Sequence, residues 1–148
     1  NSGTNDGQPS GMDSNSEESE TLPMFKSVGM IELVRHAAQQ LYAPKRLAKK
    51  HSSISQTRIH KVGKVSLYRG GEVLTTPLAS WKSGTLYVIA VKVTNNMNMS
   101  LELDPRLFRG QWRSRTLQHA RVGRKGLETD TTTVYLVSDR PFHESIIL

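Results

Sequence analysis

One stretch of the chain, GTLYVIAVKVTNN at 84–96, constrains the fold more than any other. Apolar side chains occupy both sets of alternate positions: Tyr87, Ile89, Val91 and Val93 in one set, and Leu86, Val88 and Ala90 in the other. Alternate residues of a strand face opposite sides of a sheet. A strand that is apolar on both faces must be covered on both. The pattern therefore predicts a central strand inside a sandwich or barrel.

A second run, at 99–104, shows strict alternation of apolar and polar residues. Its apolar members are Met99, Leu101 and Leu103, and its polar members are Ser100, Glu102 and Asp104. This period of two is typical of a strand with one face in water. The Asn95-Asn96 pair predicts a turn between the two runs, so we expect them to pair as a hairpin.

Shorter runs predict further strands at 57–62, 65–69, 111–119 and 131–138. Pro77 is expected to limit pairing in VLTTPLASW, because proline has no N–H to give to a ladder. The 111–119 run, QWRSRTLQH, mixes polar and apolar side chains on both faces, which favours an edge or interface strand. The C-terminal RPFHESIIL fits either a last strand or a turn of helix.

Helical spacing appears ahead of the strands. The apolar residues recur at i, i+3, i+4, i+7, i+8 and i+11: Met30, Leu33, Val34, Ala37, Ala38 and Leu41. This stripe predicts an amphipathic helix over 29–42, with Ser27 able to cap its start and Pro44 preventing its continuation. The predicted fold class is mainly β: a β-sandwich or barrel of about six to eight short antiparallel strands with one N-terminal amphipathic helix.

The beginning of the chain has a different composition. Its first 22 residues contain no Lys or Arg and only two apolar side chains, Met12 and Leu22. Such a segment cannot bury enough apolar surface to offset roughly 1–2 kcal/mol of backbone entropy per ordered residue. We therefore predict a disordered acidic linker or tail at 1–24 and a C-terminal β-domain at 25–148.

The β-domain is strongly basic. All 20 Lys and Arg residues lie after position 22, where only eight acidic residues accompany them, so residues 23–148 carry a net charge of +12. Nucleic acid phosphates, anionic lipid and an acidic protein surface are the three candidate partners for such a charge. The basic residues are spread over the chain, which disfavours a single groove-reading helix.

Side chains that commonly catalyse reactions or bind metals do not occur at the spacing of a known motif. The chain has no cysteine, and its five histidines show no pair at the three- or four-residue spacing of a metal site. The serines stand outside the nucleophile motifs, and the glycines are typical of turns. We predict no catalytic residue, no cofactor and no metal, and hence no enzyme. No apolar run approaches the ~20 residues of a membrane span.

Candidate binding residues cluster around the 111–119 strand. They are Phe108, Arg109, Trp112, Arg113 and Arg115. Trp112 between arginines has the chemistry of a stacking platform for single-stranded nucleic acid, although such platforms usually present two or three rings. Phe108 either fills the core or is offered to a partner protein. We interpret the five residues as a partner-binding surface.

Five segments together resemble a known family. They are AAQQLYAPKRL at 37–47, YVIAVKVTN at 87–95, LELDPRLFRGQW at 101–112, LQHARVGRKG at 117–126 and DTTTVYLVSDRPFHESIIL at 130–148. In this order they resemble the C-terminal half of TraK-type, secretin-like integrating conjugative element proteins of type IV secretion systems. The resemblance covers roughly 30–148. It departs from the family in the basic stretch at 45–64 and in the Asn-Asn-Met-Asn-Met turn.

The resemblance implies a structural role in the outer-membrane core of a conjugative machine, without enzymatic activity. It implies a location in the periplasm and at the outer membrane, with a signal peptide that is absent from this fragment. The implied partners are a small outer-membrane lipoprotein and a periplasmic scaffold protein anchored in the inner membrane, with a homo-oligomeric ring in the assembled complex. Membrane association would run through these partners, and nucleic acid is not expected as one. The alternative is a basic β-barrel domain that binds single-stranded nucleic acid.

An extended partner segment can bind as an additional strand at the exposed edge of a sheet. Backbone hydrogen bonds then provide affinity, and side-chain pockets provide specificity. We expect 111–119 to be that edge.

Overall fold

The computed structural model describes residues 29–43, 53–59 and 66–146. The predicted acidic tail at 1–24 and the proposed cap at Ser27 lie outside these residues. So do parts of the strands predicted at 57–62 and 65–69.

The described residues form seven strands and two α-helices. In chain order they are α1 (Met30–Tyr42), β1 (Ser55–Thr57), β2 (Val73–Ser83), β3 (Leu86–Asn95), β4 (Leu101–Glu102), β5 (Ser114–Leu117), β6 (Arg121–Val122), β7 (Thr131–Ser138) and α2 (Phe142–Ser145), with short 3-10 helices at Pro105–Leu107 and Glu128–Asp130. Five strands make one antiparallel sheet in the order β1-β2-β3-β7-β5. The other two, β4 and β6, pair with each other. The predicted mainly β fold class, with a helix ahead of the strands, is confirmed; the described strands form an open, sandwich-like arrangement and close no barrel.

Strand β3 lies at the centre of the five-stranded sheet, as its composition predicts. It pairs with β2 on one side and with β7 on the other. Its side chains Val88 and Ala90 point to one face, and Ile89, Val91 and Val93 point to the other, and all five are at most 2% exposed. Both faces of this strand are therefore covered.

The predicted hairpin between β3 and the 99–104 run is wrong. Both edges of β3 are occupied, and Leu101–Glu102 pairs instead with Arg121–Val122. Asn95, fully buried, redirects the chain: its amide donates to Met99 O and to Gly123 O, both at 2.9 Å, and it accepts from Met97 N–H at 2.9 Å. These three bonds hold a connecting loop where the sequence suggested a tight turn.

Pro77 does not end the strand that contains it. Strand β2 runs for 11 residues through the proline, with a shift of register between Pro77 and Ala79. A bulge of this kind is one of the positions that tolerate proline in a sheet. The expected limit on pairing is thus replaced by a local irregularity.

Helix α1 covers one face of the sheet. Leu33 and Ala37 are fully buried and pack in one cluster with Trp81, Val88 and Tyr135. The observed bounds, Met30–Tyr42, confirm the predicted helix. No helix within the described ranges is long and apolar enough to cross a membrane.

Loops, the β4–β6 pair and α2 cover the opposite face. Their buried side chains include Tyr68, Phe108, Trp112 and Phe142. They pack against the side chains of β3 and β7 that point away from α1. Of the two interpretations of the C-terminal segment, the turn of helix is correct. The sheet is therefore enclosed between α1 and a layer of loops.

Candidate functional site

The outer edge of β5 is the candidate docking site. Among the described residues, strand β5 lies at the end of the sheet and pairs with β7 alone, which agrees with the predicted edge strand at 111–119, although the strand itself spans Ser114–Leu117. Gln118 N–H donates to Thr133 O at 2.8 Å. Since backbone groups alternate in direction along an antiparallel strand, Arg115 and Leu117 direct their N–H and C=O groups away from the sheet.

A groove runs beside this edge, between α1 and β5. Its volume is about 370 Å³. The helix contributes Ile31, Val34 and Ala38, and the strand contributes Thr116 and Gln118, with Tyr135 between them. Most of the groove is therefore apolar, and it lies on the side of the sheet to which every second residue of an added strand would point.

Ile31 stands at the rim of the groove and is 74% exposed. It lies one position after the first member of the apolar stripe, outside the i, i+3, i+4 pattern that faces the sheet. Sequence reasoning missed it as a binding residue. Its signal was an apolar side chain off the buried stripe of an amphipathic helix.

Tyr135 lies between the two walls of the groove. Its hydroxyl donates to Gln118 Oε1 at 2.9 Å. Burial, and secondarily the nearby Tyr42, raises the pKa of Tyr135 to about 12. The phenol is therefore neutral at physiological pH and serves as a hydrogen-bond donor at the bottom of the groove.

Two of the five predicted partner-binding residues point inward. Phe108 is 1% exposed and meets the ring of Tyr68 edge-on at 4.9 Å. Trp112 is 8% exposed, stacks on Phe142 at 5.9 Å and donates its indole N–H to Arg109 O at 2.6 Å. Of the two interpretations of Phe108, the core filler is the one that the geometry supports. Neither ring is presented on the surface.

The three arginines have different roles. Arg115 is half-buried and donates to Phe108 O and Gly110 O, both at 3.2 Å, so it ties the preceding loop to the edge strand. The side chain of Arg109 is partly covered, and its Nε is buried without a hydrogen-bond partner in the described part of the chain. Arg113 is exposed next to β5. Among the five, Arg113 is therefore the side chain most available to a partner.

The corner before this loop is locked by local bonds. Asp104 accepts from the Arg106 backbone N–H at 3.0 Å and from its guanidinium at 2.8 Å. These side-chain and backbone bonds from Arg106 lower the pKa of the Asp104 carboxyl. These contacts support a structural role for this turn, as a corner of the loop.

Charge around the open edge is positive. Arg35 belongs to the groove lining, which contains no Asp or Glu among the residues the structure describes. Arg113, His119 and Arg121 are exposed along or just beyond β5. An acidic segment would therefore meet favourable electrostatics here. Within the described ranges, no group of three or more His, Cys, Asp or Glu side chains could hold a metal ion.

A comparison with known families matches residues 1–148 to the family described as "Protein of unknown function (DUF3438)". No curated protein matches the chain.

Proposed function

We propose that this chain, which belongs to the DUF3438 family, is a structural docking subunit in the outer-membrane core of a conjugative type IV secretion system. The proposal joins the resemblance of its segments to TraK-type proteins with one structural observation. That observation is the edge strand β5, whose side away from β7 pairs with no other strand of the described residues and which lies beside an apolar groove.

Docking would proceed by strand addition. An extended partner segment would accept and donate hydrogen bonds at the outward backbone groups of Arg115 and Leu117. Alternate side chains of that segment would enter the groove between α1 and β5, where Ile31 and Val34 offer apolar contact. Backbone pairing would provide affinity, and the groove would select among side chains.

The partners that fit the proposal are a small outer-membrane lipoprotein and an inner-membrane-anchored periplasmic scaffold. The chain would act in the periplasm, close to the outer membrane, within a ring of identical subunits. Its positive charge at the edge favours a partner segment that carries acidic residues.

The alternative, a basic barrel that binds single-stranded nucleic acid, receives less support from the geometry. The described strands form an open sheet, and Trp112, the ring on which bases would stack, is buried. A stacking platform requires exposed aromatic faces.

Site-specific crosslinking in cells tests the docking proposal. A photoreactive benzoyl-phenylalanine is placed in the full-length protein at Ile31 or at Thr116, which border the groove, and for comparison at Met99, which is 62% exposed elsewhere. We expect Ile31 and Thr116, but not Met99, to crosslink to an envelope lipoprotein or scaffold subunit. Crosslinks to envelope proteins that are equally strong at Met99, or none at either groove position, would contradict docking at this edge.

A DNA titration distinguishes the docking proposal from the alternative, a domain that binds single-stranded nucleic acid. A nucleic-acid binder would hold single-stranded DNA with an affinity that falls steeply with salt. The docking subunit is expected to show no such binding at physiological salt.

A further inference from the structure

A second cavity lies on the face of the sheet opposite to α1, away from the groove. Its volume is about 220 Å³. It is bounded by β1, β2, β3 and β7 and by the start of α2. Its apolar floor consists of Ile89, Leu136 and Phe142, which are 2%, 0% and 7% exposed. This floor belongs to the core of the protein and is therefore held in place.

The rim of this cavity is basic. Arg58 follows β1, Lys82 lies on β2, and His143 lies on α2. No Asp or Glu lines the cavity among the described residues. Arg58 and Lys82 are permanent cations that line one cavity, and an anion that enters it is attracted by both. The nearest acid contact is Glu144, whose carboxylate lies 3.7 Å from His143 Nε2.

Backbone pairing holds the two cations on neighbouring strands. Lys82 pairs with Ser55 and Ser80 pairs with Thr57, the residue before Arg58, so the two cations lie on opposite sides of the Thr57–Ser80 pair and reach the rim from its two ends. Lys82 Nζ lies 5.8 Å from the centre of the Tyr87 ring, which also lines the cavity. The aromatic ring attracts the ammonium and favours its position at the rim.

The small hydroxyls of the cavity are already engaged. Ser80 Oγ and Thr57 Oγ1 lie 2.5 Å apart, and Ser80 Oγ donates to Thr57 O at 3.3 Å. Ser138 Oγ donates to Arg140 O at 2.6 Å. A ligand would therefore be bound mainly by the basic side chains at the rim.

We propose that this cavity binds a phosphate group, with the carbon atoms of its ester lying over the apolar floor. A phosphate monoester carries about −1.5 to −2 charges and three acceptor oxygens, which matches the two permanent cations, Arg58 and Lys82. A carboxylate would neutralise only one of the two permanent charges. Either the monoester headgroup of phosphatidic acid or a soluble phosphate monoester supplies this chemistry. The site is independent of the β5 edge and goes beyond the docking role.

Nuclear magnetic resonance of the full chain tests the proposal. The probes are inorganic phosphate, glycerol 3-phosphate, vesicles of phosphatidylcholine with or without phosphatidic acid, and single-stranded DNA, all at constant ionic strength. The test variant is Arg58→Gln with Lys82→Gln. The control is Lys92→Gln with Lys125→Gln, which removes the same charge from exposed positions outside the cavity. All four side chains are exposed, so both variants are expected to fold.

We expect a phosphate probe to shift the amides of Tyr87 and Ser138. Its affinity should fall about tenfold in the test variant and less than about twofold in the control. Binding of phosphatidic acid vesicles with the same dependence identifies a lipid headgroup as the source, and binding of glycerol 3-phosphate alone identifies a soluble ester.

Three results would overturn the proposal. The first is the absence of cavity shifts with every phosphate probe and vesicle. The second is an equal loss of affinity in the control variant, which would show unspecific attraction to a basic surface. The third is a set of cavity shifts caused by DNA alone. None of these results bears on the crosslinking at β5, so the two proposals fail separately.

Discussion

Replacement of Trp112 by alanine is the perturbation that most directly tests how this domain is built. The indole is 8% exposed, stacks on Phe142 with ring centres 5.9 Å apart and an angle of 19°, and donates to Arg109 O at 2.6 Å. It therefore connects the loop before β5 to helix α2. Removal of the ring opens a void between the sheet and its loop layer.

The expected loss follows from these contacts. Truncation of a buried tryptophan to alanine costs about 3–5 kcal/mol. Trp112→Phe keeps an aromatic ring against Phe142 but removes the N–H donor to Arg109 O, and it should cost about 1–2 kcal/mol. Against a total stability of about 5–15 kcal/mol for a domain, the alanine variant loses a large fraction and the phenylalanine variant a small one.

Urea unfolding followed by circular dichroism measures both variants. With a slope of about 2 kcal/mol per molar urea, Trp112→Ala should lower the midpoint by about 2 M. Met99→Ala is the control, since Met99 is 62% exposed and its truncation should stay within about 0.5 kcal/mol.

One result would refute the reasoning. If Trp112→Ala unfolds with the same midpoint as the original protein and instead weakens binding of single-stranded DNA, the ring belongs to a surface platform. The assigned burial, and with it the loop layer over the sheet, would then be incorrect.

Three further predictions follow from buried contacts. Gly110→Ala should lower the free energy of unfolding by at least about 2 kcal/mol, because φ at Gly110 is +123° and a β-carbon would lie 2.6 Å from the indole nitrogen of Trp112. Its control is Gly84→Ala, at φ +59° in open space. Urea unfolding should show a cost of about 1 kcal/mol for this control. Asn95→Asp should cost about 3 kcal/mol at neutral pH, since a carboxylate would face two carbonyl oxygens that now accept from the amide; the half-buried Asn96→Asp is its control. An ultraviolet titration should place the pKa of Tyr135 at about 12. Because this folded-state pKa exceeds the ordinary value near 10, the contribution of the neutral phenol to stability is complete below pH ~10 and is lost as the pH rises to ~12.

The sequence identified the elements whose pattern is strong over many residues. The doubly apolar run of β3 predicts the centre of the sheet, and the helical stripe predicts α1 to within one residue of its observed start. The mixed faces of 111–119 predict an edge strand, which β5 is. Each of these inferences depends only on which side chains must leave water.

The sequence predicted the pairing of the strands less well than it predicted the strands themselves. The run at 99–104 alternates as a strand should, yet it pairs with β6, because β2 and β7 already occupy both edges of β3. Pro77 lies inside a long strand because a bulge accommodates it. These outcomes depend on which other segments compete for the same edge, and that competition is not local.

The candidate site shows the same division. Local composition identified the neighbourhood of β5 as basic and aromatic, but it also grouped side chains that the fold separates. Phe108 and Trp112 turn into the core, whereas Arg113 stays outside. Ile31 and Thr116, 85 positions apart in the chain, border one groove.

The amino-acid sequence by itself determined that this protein would be mainly β, with one central strand and one amphipathic helix, since hydrophobic periodicity is a property of neighbouring residues. Only the tertiary structure decided which strand edge stays open, which rings are covered and where the two cavities lie. These features arise from contacts between residues that are far apart in the chain, and their outcome depends on how all the layers pack together.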